Sequence, residues 1–131
     1  MDATLEWLKQ ISEAPGVSGY EQTVKQLLID KLAAITEISN DKLGSVIGRK
    51  KGSNPSRKIL ITAHYDEIGL LVTSIDKEGF IRFTKIGGID PKILLATEVV
   101  IHGKNSIPGV IGAKPPHLLI PEDRNKTMGL Q

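Results

Sequence analysis

The sequence predicts an α/β fold that gives way to a β-rich module, and three observations carry that prediction. Two helical segments with apolar stripes open the chain, an unbroken apolar run stops abruptly at His, Asp and Glu, and short apolar stretches then alternate with turn residues. Helices leading into a buried strand are the opening of an α/β domain, whereas short, closely spaced strands belong to a small sandwich or barrel. At 131 residues and 40% hydrophobic content, the chain has material for roughly one ordinary domain.

Taken in order, Asp2 is placed to cap a first helix whose Leu5, Leu8 and Ile11 share a stripe beside Trp7. That helix stops at Ala14-Pro15-Gly16. Ser18-Gly19-Tyr20-Glu21 has the Ser-x-x-Glu form of a capping box, and Tyr20, Val24, Leu27, Leu28, Leu32 and Ile35 follow at helical spacing. A short extended piece ending in Asn40-Asp41, a turn at Leu43-Gly44, a strand from Ser45 to Arg49 and a loop over Lys51-Gly52-Ser53-Asn54-Pro55-Ser56 come next.

Lys58 to His64 then reads as a strand buried on both faces, of the parallel-sheet kind. Beyond Gly69, strands are expected at Leu70–Ile75 and Phe80–Lys85 around the turn Asp76-Lys77-Glu78-Gly79. After a break at Ile86-Gly87-Gly88-Ile89-Asp90-Pro91, strands are expected at Glu98–His102 and Ile107–Ala113 around Gly103-Lys104-Asn105. The organisation expected is an α/β part over residues 1–70, a β-rich module over 71–120 and a tail over 121–131.

Composition narrows the function classes. Seventeen basic against fifteen acidic residues give a net charge of +2, too balanced for nucleic acid or an anionic membrane surface. The cluster Arg49-Lys50-Lys51, with Arg57 and Lys58, reads as the solvated end of a hairpin. Without cysteine there is neither a disulfide framework nor thiolate chemistry, so any metal must be held by His and carboxylates. The start of the chain lacks the basic-then-apolar pattern of a leader, and no apolar run approaches the ~20 residues of a membrane span. A cytoplasmic protein is expected.

The chemistry concentrates at the end of the apolar run. Ligands in open parallel sheets gather at the carboxyl ends of strands. Side chains two apart in a strand share a face, so His64 and Asp66 emerge together. That arrangement suits a metal-binding imidazole whose second nitrogen is held by a carboxylate. It also suits a strand-end His bonded to backbone or solvent. Glu67 points to the opposite face and reads as a structural carboxylate. Adjacent Asp66 and Glu67 do not make the facing pair, about 5 to 9 Å apart, that a glycosidase needs.

Several phrases in order then carry a resemblance. Ala14-Pro15-Gly16-Val17-Ser18-Gly19-Tyr20-Glu21, Asp41-Lys42-Leu43-Gly44-Ser45, Ala63-His64-Tyr65-Asp66-Glu67-Ile68-Gly69, Ile86-Gly87-Gly88-Ile89-Asp90-Pro91 and Val110-Ile111-Gly112-Ala113-Lys114-Pro115-Pro116-His117 resemble the two-metal aminopeptidases of metallopeptidase family forty-two. The family includes glutamyl and deblocking enzymes that form tetrahedral shells, and some members carry an endoglucanase label. The likeness runs to about Arg124.

The resemblance implies the N-terminal part of a zinc-peptidase-like α/β/α domain, followed by an inserted β-barrel-like module that mediates assembly. It implies a divalent metal pair, zinc or cobalt, that activates water to hydrolyse the first peptide bond of short peptides. His64 would be a metal ligand and Asp66 the catalytic-site residue that orients it. Tyr65 stands where relatives often have Met, a change expected to be tolerated.

A complete two-metal site needs further carboxylates, a second His and a Glu base, which relatives supply downstream of the β module. Asp76, Glu78, Asp90, Glu98, His102, His117, Glu122 and Asp123 are the remaining candidates here, and most sit in turns where charges are solvated. The expectation is therefore a fragment inactive by itself, with a homo-oligomer formed through the β module. The rival reading is a non-catalytic assembly module, and a carbohydrate-cleaving enzyme ranks third.

Overall fold

The computed structural model describes residues 2–113, and the chain divides into two units, Met1–Ile68 and Gly69–Gln131. In the first unit, helix α1 spans Ala3–Glu13 and is capped by Asp2, whose side chain accepts from the Thr4 amide at 3.0 Å. Leu5 and Leu8 of its apolar stripe remain more than half exposed. Helix α2 spans Gln22–Ala33. The Lys31 ammonium lies 5.2 Å from the centre of the Trp7 ring, a cation–π contact between the two helices.

Val24 is the buried anchor of α2, at 2% exposure, with Leu27, Leu28 and Leu32 half-buried beside it. Tyr20 and Ile35, which share the helical spacing, lie outside the helix and are exposed. After α2 the Leu32 carbonyl accepts from the Ile35 and Thr36 amides and from the Thr36 hydroxyl, which satisfies an acceptor that a helix end leaves unpaired.

Strands β1 (Glu37–Asn40) and β2 (Val46–Arg49) form an antiparallel hairpin, and α2 packs on both. Asp41 builds the turn between them. One of its oxygens accepts from the Leu43 and Ser45 amides and the other from the Ser45 hydroxyl. Gly44 adopts φ +97°, a left-handed conformation that glycine enters without strain.

The run from Lys58 to His64 departs from expectation. It pairs with nothing among the described residues, and Ile59, Leu60 and Ile61 are 90%, 85% and 90% exposed. The physical reason is that a parallel strand needs a partner delivered by a crossover of a dozen or more residues, unlike a hairpin, which closes on its neighbour. The described residues place no such partner beside it. The parallel pairing present among them is one isolated bridge between Val17 and Glu67.

In the second unit, β3 (Gly69–Ile75) pairs antiparallel with β4 (Ile81–Ile86), with a register shift between Val72 and Ser74. Asp76 organises their turn by accepting from the Glu78 and Phe80 amides. A 3-10 turn over Pro91–Ile93 is capped by Asp90, and β5 (Glu98–His102) pairs antiparallel with β6 (Ser106–Val110). Strand β6 stops at Val110, short of the expected Ala113, because its partner leaves the ladder: Ile111 still donates in register to Thr97, but the Thr97 amide turns back to Leu94 and the Ile111 carbonyl accepts from Ala96 instead.

Ile89, Leu94 and Ile111 form the buried cluster of this unit, with Leu70, Phe83 and Val99 packed against it. The break at 86–91 therefore contributes core as well as turn. Among the described residues, β3–β4 and β5–β6 are separate two-stranded sheets, so the barrel-like closure expected for the module is not seen there. The tail over 121–131 lies outside the described residues.

Candidate functional site

The site is assembled where two loops of the first unit meet. Gly16 and Glu67 grip each other twice: the Glu67 amide donates to the Gly16 carbonyl at 2.8 Å, and the Gly16 amide donates to Glu67 Oε1 at 2.9 Å. A Cβ at position 16 would meet Val24 Cγ1 at 3.0 Å and the Tyr65 carbonyl oxygen at 3.4 Å, so the Val24 side chain would have to give by a few tenths of an ångström. Glycine makes the close approach without that adjustment. The Glu67 carboxylate thus fastens the Gly16 loop.

One residue earlier, Asp66 uses both oxygens. Its Oδ2 accepts from the Ser18 hydroxyl at 2.6 Å, and its Oδ1 lies 3.1 Å from His64 Nδ1. The Asp66 backbone carbonyl lies 3.0 Å from the same nitrogen. A carbonyl oxygen only accepts, so this double contact assigns the proton to Nδ1. In the neutral imidazole this leaves the lone pair on Nε2, and the His64 side chain is 86% exposed. The Ser18 hydrogen bond, seconded by His64, holds the Asp66 carboxyl below its ordinary range against a smaller opposing effect of burial.

Tyr65 fixes the strip from the other side. Its hydroxyl donates to the Gly44 carbonyl at 2.9 Å, tying the His-Tyr-Asp stretch to the β1–β2 turn. Burial and then the nearby Glu21, Asp41 and Asp66 charges push the phenol up from its ordinary value. A cavity of about 400 Å³ opens beside these residues, lined by Val24, Leu28 and Leu32 of α2 and by His64, Tyr65 and Asp66. A cleft with an apolar wall and a few convergent polar groups is the usual form of a small-ligand site.

Ser18 is the residue that sequence reasoning misplaced. The capping-box pattern assigns its hydroxyl to α2, yet the cap position is Glu21 and receives no side-chain cap hydrogen bond. Glu21 instead accepts from the Gly19 amide at 2.7 Å, and Ser18 is diverted to Asp66. The available signal was the Ser18 hydroxyl in a Gly-rich bend, which has no fixed partner in sequence.

The other candidates among the described residues have partners within their own unit. His102 Nδ1 lies 3.2 Å from the Ser106 hydroxyl across its hairpin, Asp76 and Asp90 serve turns, and Glu78 lies beside Lys77. Glu98 faces Val110 in the β5–β6 register. His117, Glu122 and Asp123 lie outside the described residues. No group of three or more potential metal ligands forms among the described residues.

Fold and site together define a mixed helix-and-sheet framework with an oriented surface imidazole. A family model described as M42 glutamyl aminopeptidase matches residues 44–131, and the chain belongs to that family. The chain is 45% identical over 116 residues to a lysyl aminopeptidase of Pyrococcus furiosus, covering 86% of this chain and 33% of that protein. It superimposes on a TET aminopeptidase from the marine sediment archaeon Thaumarchaeota archaeon SCGC AB-539-E09 with a TM-score of 0.88 and 37% identity, covering 98% of this chain and 36% of that one. The TET1 peptidase of Pyrococcus horikoshii, which assembles into a tetrahedron or a large octahedral shell, matches with a TM-score of 0.74 and 39% identity over 94% of this chain and 37% of its own. The chain spans about a third of the length of the relatives it matches.

Proposed function

We propose that this chain is the N-terminal portion of a metal-dependent aminopeptidase acting on short peptides, with His64 as ligand to one of two divalent ions, zinc or cobalt. Asp66 is the residue that orients it. The supporting observation is the state of the imidazole: Nδ1 faces the Asp66 carboxylate and carbonyl, while Nε2 keeps its lone pair on an exposed ring. That is how a histidine is prepared for a metal.

The fit extends to one ligand. No group of three or more potential ligands forms among the described residues. When bound, the ions supply Lewis acidity for hydrolysis of the first peptide bond. The chain's own part is to hold His64 at one tautomer and orientation and to offer the apolar wall of the cleft.

In this reading residues 1–70 belong to the catalytic domain and residues 71–120 to an assembly module. The cysteine-free sequence suits the cytoplasm, and no helix among the described residues is long and apolar enough to cross a membrane.

The test is hydrolysis of amino-acid anilides by the pure chain with zinc or cobalt added. No turnover is expected, with weak zinc binding lost in His64→Ala. Robust turnover would show that the centre is complete.

A second reading, a non-catalytic assembly module, is favoured by the exposure of Ile59, Leu60 and Ile61. Contiguous apolar surface of this kind drives association. Light scattering should then report a dimer or larger species, and a well-behaved monomer would count against it.

A further inference from the structure

We propose that Ser18 is a positioning residue of the His64 site: its hydroxyl locks the Asp66 carboxylate in the rotation that holds His64 as the Nδ1–H tautomer. The inference rests on the reading of His64 as a ligand, and deepens it by naming a residue outside the His-x-Asp phrase.

The geometry carries it. A carboxylate with only one partner turns about its terminal torsion, which is broad and roughly two-fold. Asp66 has a partner on each carboxylate oxygen, Ser18 at 2.6 Å and His64 at 3.1 Å, so the shorter bond sets the plane in which the longer one forms, beside the 3.0 Å contact of the same His64 nitrogen with the Asp66 backbone carbonyl. Ser18 itself is held in place, because the two hydrogen bonds between Gly16 and Glu67 and the bridge from Val17 to Glu67 fasten its loop beside Asp66. Free histidine in water favours the opposite tautomer, with the proton on Nε2. The site must therefore hold the Nδ1–H form actively on a side chain that is 86% exposed.

The arrangement also accounts for the abandoned helix cap. Ser18 would satisfy an α2 amide in the pattern its sequence predicts. Its hydroxyl is instead committed to an acidic oxygen, and charge-assisted hydrogen bonds are roughly twice as strong as neutral ones.

The experiment reads the His64 tautomer by ¹⁵N NMR on the metal-free 131-residue chain at mildly alkaline pH, in the wild type, Ser18→Ala and Ser18→Thr, with circular dichroism as a check of folding. The wild type and S18T should both show mainly Nδ1–H, while S18A shifts toward Nε2–H. Zinc affinity should fall about tenfold in S18A, the lower end of the range for residues supporting a ligand, and recover in S18T.

An unchanged tautomer in folded S18A overturns the proposal whatever the metal result. A shifted tautomer with zinc binding indifferent to His64→Ala upholds Ser18 as the positioning residue and removes the ligand reading instead. Should S18A not fold, the wild type decides: a Ser18 hydroxyl proton in slow exchange supports the hydrogen bond, and one in fast exchange overturns it.

Discussion

The two units of this chain handle apolar residues in opposite ways. The second closes Ile89, Leu94 and Ile111 into a cluster using two hairpins and the segment between them. The first buries Val24 but leaves Ile59, Leu60 and Ile61 at 85–90% exposure in a run with the composition of a central strand. The difference is one of connection length. Antiparallel hairpins find their partners within a few residues, whereas a parallel strand waits for one that arrives by a long crossover. Hydrophobicity commits a segment to burial, and only topology supplies the surface that buries it.

The comparison is broken most severely at Leu94. Replacing it with Ala should destabilise the second unit by about 2–3 kcal/mol, the lower end for core Leu truncation because the cluster is small, as read by urea unfolding. Next comes Gly16→Ala in the first unit. The added Cβ meets Val24 Cγ1 at 3.0 Å, and overpacking of this kind costs about 1–3 kcal/mol. The loss should appear as a lowered unfolding midpoint together with weakened amide protection at Gly16 and Glu67.

Tyr65→Phe removes the hydroxyl that donates to Gly44 and should cost about 1 kcal/mol, a typical net hydrogen bond, detected as a reduced thermal midpoint. Acidification sharpens the same unit. The Asp66 and Asp41 carboxyls are both held below their ordinary range, Asp66 mainly by the Ser18 hydroxyl and Asp41 mainly by Ser45. Their stabilisation is complete above the unfolded carboxyl value of about 3.9 and is lost as pH falls through the lower folded values. An acid titration followed by circular dichroism should show that loss, and Asp41→Asn should flatten it.

The smallest effect on folding is expected at Leu60. Leu60→Ser replaces a side chain that is exposed, so stability should change by less than about 0.5 kcal/mol. Self-association seen by light scattering should fall. A large destabilisation there would show that the run is buried in solution and would erase the contrast with Leu94.

Sequence by itself determined what local rules decide. Asp2 as a helix cap, the turns built by Asp41 and Asp76, the hairpin strands and the bond-ready pairing of His64 with Asp66 all depend on residues a few positions apart, where backbone geometry leaves few choices. Tertiary structure decided what depends on distant partners. Ser18 left its helix cap for a carboxylate 48 residues away, Glu67 turned to the Gly16 loop, Tyr65 reached Gly44, and the Lys58–His64 run stayed unpaired among the described residues. A side chain's local pattern names the bonds it is able to make, and the competition among partners brought near in space selects the one it keeps.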